Sequence, residues 1–178
     1  MNLKRCLLTV LFSMVLLGFA SPAELHAKKE NSIVGAWLQN MHPVGDDSAI
    51  LAAQAIFNED HTCVRNIDAD LQRVLGPPLF PEGTVFSISD DYAIWKRKCN
   101  GKFKCVGTQI ALIKNEDGTF SPLARVKCTI EYQLHGNHLK GRELLEFFDY
   151  LDLTLTIPAP GLPPIEFTIE GERLKFKG

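Results

Sequence analysis

Between residues 125 and 135 the chain alternates without exception. Val126, Cys128, Ile130, Tyr132 and Leu134 are apolar, while Arg125, Lys127, Thr129, Glu131 and Gln133 stand between them. A period of two sends successive side chains to opposite faces of an extended strand, one dry and one wet. The pattern returns at Leu151, Leu153, Leu155 and Ile157, and again at Ile165, Phe167 and Ile169, each time with polar residues between. Half-wet strands of this kind build antiparallel sheets.

Strands are expected at 33–39, 54–58, 62–67, 84–88, 92–98, 103–114, 119–134, 139–147, 152–157 and 165–176. Turn-forming clusters separate several of them, among them Asn115-Glu116-Asp117-Gly118 and His135-Gly136-Asn137-His138. Helix is scarce. Residues 47–53 could form two turns. Leu71, Val74 and Leu75 stand at helical spacing behind Asp70 and ahead of Gly76-Pro77-Pro78. Residues 158–164 read as a stiff proline-rich connector.

Register follows from the turns. A symmetric turn centred between Glu116 and Asp117 sets Cys105 opposite Cys128, Phe103 opposite Ile130 and Lys104 opposite Thr129. Centred between Gly136 and Asn137, the next hairpin sets Cys128 against Leu145, Val126 against Phe147, Lys127 against Glu146 and Glu131 against Arg142. Apolar then meets apolar and charge meets opposite charge. One residue breaks the pattern. Glu143 falls on the dry face opposite Ile130, where a carboxylate needs a partner or a bulge that turns it outward.

Up-and-down strands place alternate connections at the same end. Residues 40–53, 68–83, 99–102, 135–138 and 158–164 would share one end, and the short turns 59–61, 89–91, 115–118 and 148–151 the other. An all-β, antiparallel up-and-down barrel of about 8–10 strands follows, its mouth rimmed by long loops holding one or two short helices. A two-sheet sandwich is the alternative.

The first residues carry a different signal. Lys4 and Arg5 precede an uncharged run from Cys6 to Ala20, with small residues at Ala20, Ala23 and Ala27 as candidate cleavage points. That is the pattern of a secretory signal, too short for a membrane anchor. Residues 1–27 are therefore expected to be a signal peptide and 28–178 a single domain, exported to the periplasm or beyond and free of any integral membrane segment. Cys63, Cys99, Cys105 and Cys128 remain, an even number suited to two disulfides in an oxidising compartment. The register favours Cys105–Cys128 with Cys63–Cys99; Cys99–Cys105 with Cys63–Cys128 stays open. A net charge of −2 gives no overall pull toward nucleic acid or anionic lipid. A monomer is expected.

Gly35-Ala36-Trp37 on the first strand resembles the Gly-x-Trp signature of the lipocalin and calycin barrels. Gly171-Glu172-Arg173-Leu174 on the last strand is similar to their closing arginine segment. Residues 57–62 and 136–141 resemble hairpins of bacterial lipocalin-like domains. The resemblance implies that Trp37 and Arg173 stack at the closed base of the barrel, a cation–π contact of about 1 kcal/mol.

The main functional candidate is the cavity, walled by Phe103, Ile130, Tyr132, Glu143, Leu145 and Phe147, an apolar lining with a polar group suited to a small hydrophobic or amphipathic ligand. Binding without catalysis is the leading reading. A protein-interaction or inhibitory module working through the rim loops and the basic patch at residues 96–104 is the second, and an isomerase-type enzyme in the same barrel the third. No Gly-rich phosphate loop, Gly-x-Ser-x-Gly elbow or Cys-x-x-Cys pair is present. No cofactor is implied. His61 and His135 are expected at opposite ends, so no metal site is expected from the histidines. Asp90 and Asp91, like Asp46 and Asp47, read as turn or cap residues first and as calcium or acid–base candidates second.

Overall fold

The computed structural model describes residues 32–46, 49–68, 86–88 and 91–175. The chain divides into two compact units, Met1–Ser32 and Ile33–Gly178, and the described residues, Ser32 apart, belong to the second. Nine strands follow in order: β1 (Gly35–Pro43), β2 (Leu51–Phe57), β3 (Thr62–Asp68), β4 (Phe86–Ile88), β5 (Asp91–Arg97), β6 (Lys102–Lys114), β7 (Phe120–His135), β8 (His138–Phe148) and β9 (Ile165–Arg173). Around the ring the order is β1-β2-β3-β5-β6-β7-β8-β9, every pair antiparallel, and β9 returns to β1. The result is a closed eight-stranded up-and-down barrel, and a single closed sheet leaves no room for the sandwich alternative.

Side-chain period explains which way each strand faces. In β2, Leu51, Ala53, Ala55 and Phe57 are buried and the residues between them exposed. Leu51 to Ala53 therefore begin a strand, not the helix expected at 47–53. The short helix expected around Leu71, Val74 and Leu75 lies outside the described residues. β4 and β5 were expected to run in opposite directions. Both instead lie antiparallel to β6, β5 on residues 103–108 and β4 on 111–113, so they share one position in the ring.

Residues 152–157 do not form the expected strand. The carboxylate of Asp152 gathers the backbone N–H groups of Thr154, Thr156 and Ile157 at 2.9, 2.6 and 2.7 Å. An Asx hub of this sort offers the backbone a turn in place of a ladder. Hydropathy alternation alone could not reveal that competition. Losing one strand here and one reversal at β4/β5 redistributes the connections. Among the described residues, the mouth carries 115–119 and 149–164 with the end of β1 and the start of β2, and the base carries 58–61, 98–101 and 136–137. The cup persists, but 99–102 and 135–138 belong to its base and 115–118 and 148–151 to its mouth. His61 and His135 consequently share the base.

The β7–β8 hairpin has the expected register, with Cys128 opposite Leu145, Glu131 opposite Arg142 and Glu143 opposite Ile130. β6–β7 differs by two residues: Cys105 faces Ile130, Gly107 faces Cys128 and Lys104 faces Glu131. Two local features cause this. The turn holds five residues, 115–119, with Gly118 at φ 83° and Asp117 accepting from Thr119. The ladder then steps from Ala111↔Ala124 to Leu112↔Pro122, passing over Leu123 next to a proline that cannot donate. A slip of two keeps every side chain on its expected face.

The interior is layered. Trp37, Phe57, Trp95, Phe103 and Tyr132 fill the base, with Phe57 edge-on to Tyr132 at 5.6 Å and Trp95 to Phe103 at 5.9 Å. Small residues, Ala55, Ala93, Gly107 and Gly141, line the middle. Toward the mouth stand Leu51, Ala111, Ala124, Val126, Leu145, Phe147 and Phe167, all buried.

Candidate functional site

The small residues of the middle layer make room for a charge. In β3 the inward positions are Cys63, Arg65 and Ile67, and Arg65 is 1% exposed. Its Nη1 donates to Glu143 Oε2 at 2.7 Å and its Nη2 to Asp91 Oδ2 at 3.1 Å, with a further bond from Nη2 to Glu143 Oε1. Asp91 is the cross-strand neighbour of Arg65 on β5. β8, which carries Glu143, stands diametrically opposite β3 in the ring. Glu143 thus points inward with a bidentate partner, and no bulge turns it away.

Gly107 is part of the same arrangement. A Cβ there would sit 2.4 Å from Asp91 Oδ1, so the glycine yields its space to the carboxylate. Toward the mouth, Gln109 Nε2 donates to Cys128 Sγ at 3.2 Å. Toward the base, Gln39 Nε2 donates to the Tyr132 hydroxyl at 3.3 Å.

Burial governs the titration of these groups. It pushes the Asp91 carboxyl above the ordinary range, against the opposing pull of the Arg65 cation. For Arg65, burial disfavours the charge, but the Glu143 carboxylate outweighs it and holds the guanidinium protonated. Burial likewise raises the Cys128 thiol and the Tyr132 hydroxyl.

Three polar atoms in this cluster, Arg65 Nε, Asp91 Oδ1 and Gln109 Oε1, have no hydrogen-bond partner among the described residues. Donor atoms of Asp91, Cys128 and Glu143 lie within 4.8 Å of one another, a spacing that could hold a metal ion. The donor set does not suit one. Arg65 already binds both carboxylates, the Cys128 thiol is held protonated, and a second cation would repel the guanidinium. One free donor and two free acceptors fit a hydrogen-bonding ligand better.

The six expected cavity residues are all buried but fall in different layers. Phe103 and Tyr132 belong to the aromatic base, Ile130 and Glu143 to the middle, and Leu145 and Phe147 to the mouth. Arg65 and Gln109 carry no expectation from the sequence, and Asp91, expected in a turn, instead opens β5 with its carboxylate buried. A signal for the first is present: Arg65 shares the parity of Cys63 and Ile67, and Thr62, Val64 and Asn66 take the other, although apolar Val64 on the outer parity weakens it.

Trp37 and Arg173 are cross-strand partners, with the guanidinium carbon 4.7 Å from the centre of the indole ring and Nη1 donating to the Val34 carbonyl at 3.2 Å. The four cysteines are free thiols, and the expected disulfides do not form. The two-residue slip separates Cys105 from Cys128. Cys99 is exposed on the β5–β6 turn, whereas Cys63 and Cys128 point into the barrel, away from it. The nearest neighbours are instead Cys63 and Cys105, whose thiols hydrogen-bond and so raise the Cys105 thiol, burial adding to the shift. β5 lies between their strands, a separation of roughly 10 Å for the backbones, beyond disulfide reach.

Lys96 and Lys104 of the basic patch stand side by side on the outer wall, and Arg97 covers the Phe103 ring at 5.9 Å. At the mouth, Val44, Phe120, Leu151, Leu153 and Ile157 are exposed. No helix among the described residues is long and apolar enough to cross a membrane. No family model, curated protein or solved structure matches the chain.

Proposed function

We propose that this is an exported, lipocalin-like barrel that binds a small amphipathic molecule through its mouth without chemically changing it. The observation that carries the reading is the set of buried polar atoms without partners among the described residues, Arg65 Nε, Asp91 Oδ1 and Gln109 Oε1. Leaving a buried polar atom unpaired costs about 1–3 kcal/mol, so three in one cluster favour a ligand that supplies the missing bonds. Such a ligand carries hydroxyl or amine donors at one end. Its apolar end would lie among Leu51, Val126, Phe147 and Phe167 and meet the rim at Leu151 and Leu153. The Gly-x-Trp and closing-arginine likeness supports the same reading, because barrels of that group enclose their ligands.

Native mass spectrometry of the protein purified from its source is the direct test. A co-purifying small molecule is expected, with occupancy reduced in Asp91→Asn and Gln109→Leu. A bare polypeptide mass, or occupancy indifferent to both substitutions, would refute the reading.

A further inference from the structure

The outer wall of β5 and β6 is divided into two halves. Cross-strand rows run Ile56–Val64–Tyr92 and Thr62–Ile94–Val106 near the middle, then Lys96–Lys104–Glu131–Arg142 and Lys102–Gln133–Lys140 toward the base. In the first half, Tyr92 is 67% and Ile94 70% exposed, and Ile56 and Val106 are exposed beside them. Strand parity, fixed by the inward Asp91, Ala93 and Trp95, leaves these apolar side chains no route into the core. Beside the second half a groove of about 570 Å³ runs from β6 across β7 to β8, lined by Lys98, Lys102, Lys104, Lys140 and Arg142 against a single carboxylate, Glu131. Of these cations only Lys140 forms an ion pair among the described residues, with Glu170.

We propose that this wall docks the barrel on an anionic lipid bilayer. Charge complementarity selects the occupant, since Lys96, Lys98, Lys102 and Lys104 crowd β5, β6 and the turn between them, and none of the four forms an ion pair among the described residues. Shape argues the same way. A convex barrel wall meets a flat bilayer along a ridge, which here is β5 with β6, and needs no concave counterpart. Tyr92 would sit at headgroup depth, where amphipathic rings are favoured, with Ile94 and Val106 just below it. The lysines would extend along the surface to the lipid phosphates. None of these side chains belongs to the buried cluster, so wall and mouth can be tested apart.

The test uses the full chain with Cys6 and Cys99 replaced by serine and an environment-sensitive fluorophore on Ile94→Cys. Vesicles are phosphatidylcholine alone or phosphatidylcholine with phosphatidylglycerol. With anionic vesicles the probe emission is expected to shift to the blue and brighten, with little change on neutral ones. Lys96→Glu/Lys104→Glu should weaken affinity for anionic vesicles by about tenfold or more, with an unchanged circular dichroism spectrum. A probe that stays silent while the protein sediments with vesicles overturns the proposal, because another segment is then responsible. So does a charge reversal without effect. A polyglutamate peptide that moves the probe as strongly as the vesicles would make the partner an acidic protein and overturn the lipid assignment.

Discussion

Arg65 and Glu143 are 78 residues apart and meet through paired hydrogen bonds, one of 2.7 Å, across the full width of the barrel. Each is about 1% exposed, so neither charge has water to fall back on. Removing Glu143 takes both of its bonds from Arg65 and leaves that cation with Asp91 alone in a low-dielectric interior. Glu143→Ala is expected to cost about 3–5 kcal/mol of unfolding free energy. Arg65→Met with Glu143→Leu and Asp91→Asn should recover much of that loss, because no unpaired charge is then left inside. Urea denaturation of the two variants decides it, and equal losses in both would mean that packing, not charge, holds the two walls together.

Asp91 gives this protein a characteristic pH response. Its folded-state pKa lies above the unfolded value, so between the two the native state binds more protons than the unfolded one. Its contribution to stability is therefore greatest below the unfolded value and declines as pH rises through the folded one. Asp60, Asp117, Asp152 and Glu170, all lowered by hydrogen bonds, act oppositely and lose their contribution as pH falls. Asp91→Asn should remove the declining component. Relative to the wild type, it should gain stability progressively as pH climbs from about 4. A difference that is flat with pH would show that Asp91 titrates normally.

At the base, Arg173→Ala removes both the contact with the Trp37 ring and the hydrogen bond to the Val34 carbonyl. A loss of about 1–2 kcal/mol is expected, with altered Trp37 fluorescence in the folded state. Arg173→Lys should restore only part of it, since the guanidinium geometry is lost.

Thiol reactivity separates the cysteines. Cys99 is exposed, and Cys63, Cys105 and Cys128 are buried. With Cys6 replaced by serine, a thiol reagent should modify one cysteine in the folded protein and four after denaturation without reductant. Fewer than four on denaturation would reveal a disulfide.

Gly107 is expected to be intolerant. An alanine methyl would sit 2.4 Å from Asp91 Oδ1, 2.6 Å from the Ala93 Cβ and 2.8 Å from the Tyr92 carbonyl. Two of those atoms are fixed by the ladder, so Gly107→Ala should cost about 1–3 kcal/mol and disturb the Arg65–Asp91 pair, read by denaturation at several pH values. Wild-type stability would mean that β5 yields.

Much of this fold was legible in the sequence because alternation is a local property. The faces of β7, β8 and β9 follow from it directly, and so does the register of β7 on β8, where Gly136 and Asn137 make a short, symmetric turn. Register across β6–β7 was not legible, since it depends on a five-residue turn and on the proline at 122. The false strand at 152–157 has the right hydropathy, but Asp152 binds its backbone first. Glu143 was identified as anomalous from its position alone. Its partner was harder to find because Arg65 lies 78 residues away on the opposite wall, and nothing in linear spacing announces a pair across a diameter.

The seam between β1 and β9 has a further consequence. β1 is among the first strands synthesised, yet the neighbour that completes its hydrogen bonding is Ile165–Arg173, the last. Until β9 has been made, the ring stands open, Trp37 lacks its arginine, and one edge of β1 has nothing to pair with. The loop to be closed spans nearly the whole barrel, a slow step in any chain. Closure therefore waits on β9, and the sheet keeps two open edges until that strand has been made.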